Sequence, residues 1–436
     1  MKYTIHVEKF GKIKKADIRV APMTLLVGDN NSGKSYLLSL IWALQSHEMH
    51  QILFQGLKDA EEYVPLEKKV SSFIESEQES IQFCSDDFLV LLNKLLTRNK
   101  DKFVERIFNS SAISIGSLSI STSRNINLML IRLSNGYEIS EMSVSDTRNK
   151  LKSIRVHLSP GKEQPFFNMI ELFLVYILLN DTSSTVYFPA ARTGFMLAKE
   201  AINKAARKNT FDTSINEESI EPFTKPVLNF LDVMNILSKE VTSDRNKKLL
   251  DVIQDKLSHG RVCYKDALSK NLVYYPQGSE KELPLRTVSA VVTELTPLML
   301  LLQHQDRIHA ICYEEPEMCL HPQLQLEMAK LLVKMVNSGI DIIATTHSDI
   351  ILQHINNACT LFSLGKPEKL LSNTGMTEED CLAFDNVSVY QFHDMGNYSE
   401  ITELKATENG FDVPTFKEAL QNILNQTTEI YTFEEI

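Results

Sequence analysis

The sequence predicts an α/β protein with a mostly parallel core sheet, an antiparallel β lobe and helical insertions. Three observations predict it. The apolar run Met23-Thr24-Leu25-Leu26-Val27 leads through a glycine-bounded loop into the helical pattern Tyr36-Leu37-Leu38-Ser39-Leu40-Ile41-Trp42. Two later apolar runs, Ala310-Ile311-Cys312-Tyr313 and Ile342-Ile343-Ala344-Thr345, end in polar residues and precede helical stretches. Strands that alternate with helices build parallel sheets. Between these regions, Ile113-Ser114-Ile115-Gly116-Ser117-Leu118-Ser119-Ile120 alternates with period two, and Asn135-Gly136 follows a further strand-like run, a hairpin signal.

Taken in order, residues 1–46 form the first part of the core. Tyr3-Thr4-Ile5-His6-Val7 reads as a strand, Phe10-Gly11-Lys12-Ile13 as a turn, and a second strand runs through Ile18 and Val20. Residues 47–110 are a helical insertion, because Leu57, Val64, Val70, Phe73 and Ile74, then Phe88, Leu89, Leu92, Leu95 and Leu96, recur at helical spacing. Residues 111–185 carry the antiparallel lobe and a helix from Pro165 to Asn180. Residues 186–260 return to the core at Val186-Tyr187-Phe188-Pro189 and add a second helical insertion, with a helix from Met196 to Asn209. Residues 261–360 complete the core. They contain a hairpin from Arg261–Tyr264 and Leu272–Tyr275, a helix from Ser289 to Gln303, the strand at Ala310–Tyr313, a helix from Pro322 to Val336 and the strand at Ile340–Thr345. Residues 361–436 read as a mixed tail and are expected to dock a partner.

The chain has 436 residues, a net charge of −11, 43% hydrophobic and 23% charged residues. Those values fit a globular protein rather than a disordered or strongly basic one. Its 6 cysteines show no paired C-x-x-C spacing, so reduced thiols are expected rather than zinc or disulfides. No signal-peptide layout is seen at the N-terminus, and apolar stretches such as Phe173–Leu179 are too short to span a bilayer. A cytoplasmic protein with no membrane contact is the expectation.

The loop itself reads Gly28-Asp29-Asn30-Asn31-Ser32-Gly33-Lys34-Ser35, a complete G-x-x-x-x-G-K-[ST] pattern. Glycines let backbone amides close around phosphate, and the helix N-terminus faces the negative charge. Lys34 is expected to reach the β- and γ-phosphates, and the Ser35 hydroxyl to hold Mg²⁺. A plain glycine-rich turn imitates only part of this. Glu314 and Glu315 close the apolar strand before them. The first acid suits Mg²⁺, and the second suits orienting an attacking water. Glu-Glu-Pro-Glu at the head of a helix is also read as a charged cap. His347, in Thr345-Thr346-His347-Ser348, is placed to donate a hydrogen bond to a γ-phosphate, or else to cap a helix. Open parallel sheets bind ligands at just such strand ends.

Phosphate loop, Glu-Glu-Pro-Glu-x-x-Leu-His-Pro and Thr-Thr-His-Ser, in this order, resemble the ABC-type ATPase head of the group formed by SMC and RecF proteins, OLD nucleases and bacterial defence ATPases. The specific motifs cover residues 1–45 and 183–360. The resemblance implies ATP and Mg²⁺ as cofactors, Glu314 as Walker B acid, Glu315 as catalytic glutamate, His347 as switch histidine and Leu320-His321-Pro322 as the D-loop region. It also implies a signature helix at Leu283–Leu295, with Ser289 reaching the γ-phosphate of a second subunit. Ala290 replaces a common glycine there, and Glu314 replaces the usual Asp. An ordinary N-cap is the other reading of Ser289. Val186–Gly194 resembles a segment near the nucleotide in these ATPases. Within it, Arg192 touches phosphate or the partner chain, or is an exposed turn residue.

The resemblance is nearest to stand-alone ATPases of Septu, retron-associated or PARIS-type systems. It implies a slow, regulatory ATPase, a homodimer or higher oligomer around sandwiched ATP, and a separate effector that supplies nuclease chemistry. A self-contained OLD-type nuclease is disfavoured, because no Asp-x-Asp pair occurs after residue 360. An ATP-gated DNA clamp of RecF or SMC type is the alternative. Its best contact is the basic helix with Lys199, Lys204, Arg207 and Lys208, which reads more readily as a solvated face.

Overall fold

A computed structural model describes residues 3–122, 127–134, 136–142, 153–156, 170–175, 178, 184–211, 223–237, 243–265, 271–407 and 410–433. Its strands, in chain order, begin with β1 (Tyr3–Phe10), β2 (Ile13–Val20), β3 (Met23–Gly28), β4 (Ser80–Cys84) and β5 (Ser117–Thr122). Next come β6 (Asn127–Leu133), β7 (Gly136–Met142), β8 (Ser153–Val156), β9 (Ser184–Phe188), β10 (Gly260–Tyr264) and β11 (Leu272–Pro276). The last are β12 (Leu283–Pro284), β13 (Ile308–Glu314), β14 (Asp341–Thr345), β15 (Val387–Asp394) and β16 (Ser399–Leu404).

The main sheet runs β5-β1-β2-β16-β15-β3-β14-β13-β9. From β15 to β9 every neighbouring pair is parallel. This is the α/β, mostly parallel core that the motif spacing predicts. The central strands are buried on both faces, and period two divides them between two cores. On β3, Leu26 faces one core while Met23, Leu25 and Val27 face the other. On β13, Ala310 and Cys312 join the first, and Ile311 and Tyr313 the second. Helix Lys34–Leu44 and the helices of the first insertion cover one face. Helices Ala290–His304, Pro322–Asn337 and Asp349–Ser363 cover the other.

Three expectations change. The alternating run at 113–120 does not enter the separate lobe. Its β5 portion pairs with β1, with Ile120 opposite Ile5 and Leu118 opposite Val7. That register sets apolar side chains beside apolar side chains on the buried face. The small antiparallel sheet is instead β4-β6-β7-β8. β4 lies inside the stretch expected to be wholly helical, where Ile81 and Phe83 alternate with Ser80 and Gln82. The third change concerns the expected tail. β15 lies directly beside β3, and β16 joins it to β2. Residues 387–404 are therefore built into the sheet. Helix Glu368–Thr374 and helix Pro414–Phe433 remain outside it, the latter exposed from 421 to 431.

Other elements follow the sequence closely. β10 and β11 form the second hairpin, with β12 added. β6 and β7 pair around the expected turn, although Asn135 itself lies outside the described residues. Of the helix expected at Pro165–Asn180, residues 170–175 and 178 are helical, and the rest lie outside the description. No helix among the described residues is long and apolar enough to cross a membrane.

Candidate nucleotide-binding site

The loop after β3 is set by backbone geometry. Gly28 has φ +115°, and a Cβ there would lie 2.1 Å from the Phe392 carbonyl oxygen of β15. Only glycine allows so close an approach with that φ. The Asp29 amide donates to the same Phe392 oxygen at 3.1 Å. The Asp29 carboxylate accepts from the Asp394 amide at 2.9 Å, and Asp394 in turn pairs with Lys12 at 3.2 Å. Asn31 is left-handed at φ +56°. Ser32 is buried, and its Oγ donates to the Asp29 carbonyl at 2.6 Å. Gly33 is the N-cap of helix Lys34–Leu44, whose first turn holds no acidic residue. Asn30, Asn31 and Ser35 are exposed at the mouth. The helix N-terminus and the exposed Asn30, Asn31 and Ser35 thus present donors, as a triphosphate requires, while the Asp29 carboxylate is engaged by the Asp394 amide. Lys34 is buried, and its Nζ donates to the carbonyls of Gly28, at 3.0 Å, and Asp29.

The other residues arrive on neighbouring strand ends. Glu314 stands opposite Thr345 in register, and Thr345 opposite Leu26. Past the ends, the Glu315 amide donates to the Thr345 carbonyl at 3.0 Å, and the Thr346 amide to Leu26 at 3.1 Å. Phosphate loop, acids and histidine therefore share one edge of one sheet. His347 Nε2 lies 3.9 Å from Glu315 Oε1. Burial lowers the Lys34 pKa, while Glu315 and Asp29 push it back up. Burial likewise lowers His347, with Lys34 adding to the effect and Glu315 and Asp29 opposing it. Lys34 and His347 thus both feel the charges of Glu315 and Asp29.

Glu314 is held at both oxygens. Oε1 accepts from the Tyr187 hydroxyl at 2.8 Å, and Oε2 from the Ala190 amide at 2.8 Å. Burial and Glu314 push the Tyr187 pKa well up, so the phenol stays a donor. Each carboxylate oxygen keeps a lone pair, so Glu314 and the Ser35 hydroxyl would be able to hold a hydrated Mg²⁺. Among the described residues there is no ready cage of three or more His, Cys, Asp or Glu side chains. A phosphate-borne ion does not need one.

Three positions differ from expectation or add to it. Arg192 neither touches the loop nor lies exposed; its side chain is fully buried beneath the acids. Lys199, proposed for nucleic acid, donates to the Met234 carbonyl at 2.6 Å, so its ammonium is engaged within the fold. The side chains of Lys204, Arg207 and Lys208 lie outside the description. Ser289 is exposed and N-caps helix Ala290–His304, its Oγ accepting from Val292 at 3.5 Å. Within one chain it acts as that cap. Sequence reading missed Glu317, whose Oε1 accepts from the His347 amide at 2.6 Å. The third acid of Glu-Glu-Pro-Glu was the available signal. It also missed Tyr187 and the Phe392–Asp394 strand end, which carry no local motif.

A family model described as AAA ATPase domain matches residues 1–352. No curated protein matches the chain. Solved structures similar to it include the SMC head domain from Thermotoga maritima, at 11% identity and TM-score 0.34, over 93% of this chain and 99% of that one. The SmcHead bound to the C-winged helix domain of ScpA gives 11% and 0.37, over 92% and 97%. An Smc head with an extended coiled coil, bound to the C-terminal domain of ScpA and derived from Pyrococcus furiosus, gives 12% and 0.35, over 98% and 100%. TM-scores of that size carry no weight for fold or function. The family match has a different standing, since it runs from β1 past His347 and takes in the phosphate loop, both acids and the histidine, while the Phe392–Asp394 strand end lies beyond it. The chain belongs to the AAA ATPase domain family.

Proposed function

We propose that this protein is an ABC-type ATPase subunit of a bacterial anti-phage system, controlling a separate effector with nuclease chemistry. ATP–Mg²⁺ is held by residues 28–35 with Glu314. Glu315 orients the attacking water, and His347 donates to the γ-phosphate. One observation carries the catalytic part: Glu315 and His347 stand 3.9 Å apart on strand ends adjoining the phosphate loop. Charge development at a γ-phosphate is stabilised by such fixed groups. The exposure of the Ser289 turn supports a dimer in which that turn meets the nucleotide of a second copy. Removal of the γ-phosphate then deletes contacts that favour the closed pair.

The defence role rests on the resemblance of motif order. Its test is co-purification with the product of the adjacent gene, with nuclease activity that responds to Glu315→Gln. An ATP-gated DNA clamp is the competing outcome. Salt-dependent binding of the isolated chain to duplex DNA, without an adjacent-gene partner, would establish it and remove the effector reading.

A further inference from the structure

Arg192 begins helix Arg192–Phe211 and is completely buried. Its Nη1 donates to the carbonyls of Pro189 at 3.0 Å and Glu314 at 2.6 Å. Its Nη2 donates to the carbonyl of Glu315 at 2.9 Å and pairs with the Glu294 carboxylate. The guanidinium lies over the Tyr313 ring, 4.7 Å from its centroid. Glu294 sits on helix Ala290–His304 and also accepts from the Thr193 hydroxyl. One planar cation thus ties together the exits of β9 and β13 and the helix capped by Ser289.

The consequence falls on Glu315. Its backbone is left-handed, with φ +43°. A non-glycine residue holds that conformation only where its surroundings impose it. Its amide is fixed by Thr345 and its carbonyl by Arg192, so the peptide is clamped from both sides. The fork of a guanidinium reaches several acceptors in one plane, which a lysine ammonium does not reproduce.

We infer that Arg192 is a positioning residue, with Glu294 as its counter-charge, that sets the carboxylates of Glu314 and Glu315 at the nucleotide site. It acts through their backbone and touches no nucleotide. The inference rests on the ATPase reading for its kinetic consequence, but its structural consequence stands apart. Because helix Ala290–His304 holds Glu294, any shift of the Ser289 turn is carried to Glu315 through the same cation.

Removing Arg192 alone strands a buried carboxylate and risks unfolding. The test therefore uses Arg192→Lys and the neutral pair Arg192→Met/Glu294→Leu, each checked for wild-type melting. Hydrogen exchange over 313–318 is expected to quicken at least ~10-fold in both folded variants. For ATP hydrolysis, kcat is expected to fall at least ~10-fold, with KM within about threefold of wild type, since only the placement of the carboxylates changes. Unchanged exchange and unchanged kcat in either folded variant overturn the inference, as does a raised KM with kcat intact. Absence of ATP hydrolysis by the wild-type protein sinks the ATPase reading instead. The exchange result then decides the positioning role by itself.

Discussion

Gly28→Ala is the sharpest single test of how the site is built. The added Cβ would sit 2.1 Å from the Phe392 oxygen and 2.8 Å from its nitrogen, both backbone atoms that cannot rotate away. It would also hold a φ of +115°, which L-residues avoid at a cost of about 1–2 kcal/mol. Relief requires β15 to part from β3, and the Asp29–Phe392 hydrogen bond at 3.1 Å goes with it. A buried bond lost in this way costs about 1–3 kcal/mol. Together about 2–5 kcal/mol of stability is at stake. The loop start also shifts, so ATP affinity should fall at least ~10-fold, the equivalent of ~1.4 kcal/mol. Gly194→Ala is the control. A Cβ there meets nothing within 4 Å, its φ is not left-handed, and it lies in a helix. That change should stabilise by about 0.5–1 kcal/mol. Urea unfolding and equilibrium binding of a fluorescent ATP analogue read both variants. A Gly28→Ala protein with the wild-type midpoint and affinity would refute the packing argument.

Other outcomes follow from the same geometry. Lys34→Ala should abolish ATP binding in the analogue assay, and residual wild-type affinity would remove Lys34 from the site. Glu315→Gln should retain ATP while hydrolysis drops by ~10²-fold or more, measured as phosphate release; turnover at the wild-type rate contradicts its assignment. Tyr187→Phe removes the donor to Glu314 at 2.8 Å and should lower kcat at unchanged KM, with a stability loss of about 1 kcal/mol. Burial lowers the pKa of His50 and His354 to about 4 from 6.5. Between those values the unfolded chain binds protons that the folded chain refuses. Their contribution is therefore complete above pH 6.5 and is lost as the pH falls toward 4. Each histidine adds about 1.4 kcal/mol per pH unit to that slope. Replacing His354 by Gln should flatten the urea-midpoint profile by one histidine's share, and an identical profile would show that His354 titrates normally.

What could be read from sequence was local, and what could not was a matter of partners. The phosphate loop declares itself because its glycines, Lys34 and Ser35 are contiguous. β13 and β14 declare themselves because each pairs an apolar run with a polar exit. Pairing order has no such signature. Nothing in Val387-Ser388-Val389-Tyr390 says that it lies against β3, yet that contact is why Gly28 must be glycine. Ile113–Ile120 alternates correctly, but alternation does not name the sheet, and β1 supplied the matching apolar face. Arg192 was misplaced for a related reason. A charged residue two positions before a glycine reads as an exposed turn. Its burial depends on Glu294, about a hundred positions away, and on carbonyls freed where β13 ends.

The state of Lys34 bears on how ATP would enter. Its ammonium is not waiting in solvent. It is buried and spends its hydrogen bonds on the Gly28 and Asp29 carbonyls. A phosphate oxygen must displace at least one of these, and the displaced carbonyl must find another donor. The exchange offsets part of the attraction between ammonium and phosphate, since hydrogen bonds to a charge contribute about 1.5–3 kcal/mol each. It also makes the phosphate-free loop self-supporting, because Lys34 closes the ring that Ser32 and Asp29 begin. Nucleotide then gains little by ordering the loop. Its larger leverage lies farther along the sheet edge, where Glu315 and His347 face each other with Lys34 in electrostatic reach of both. On the proposed reading, a γ-phosphate placed there would draw the ammonium outward and give His347 an acceptor. On that reading, the side chains that respond to ATP would also be the ones that distinguish it from ADP.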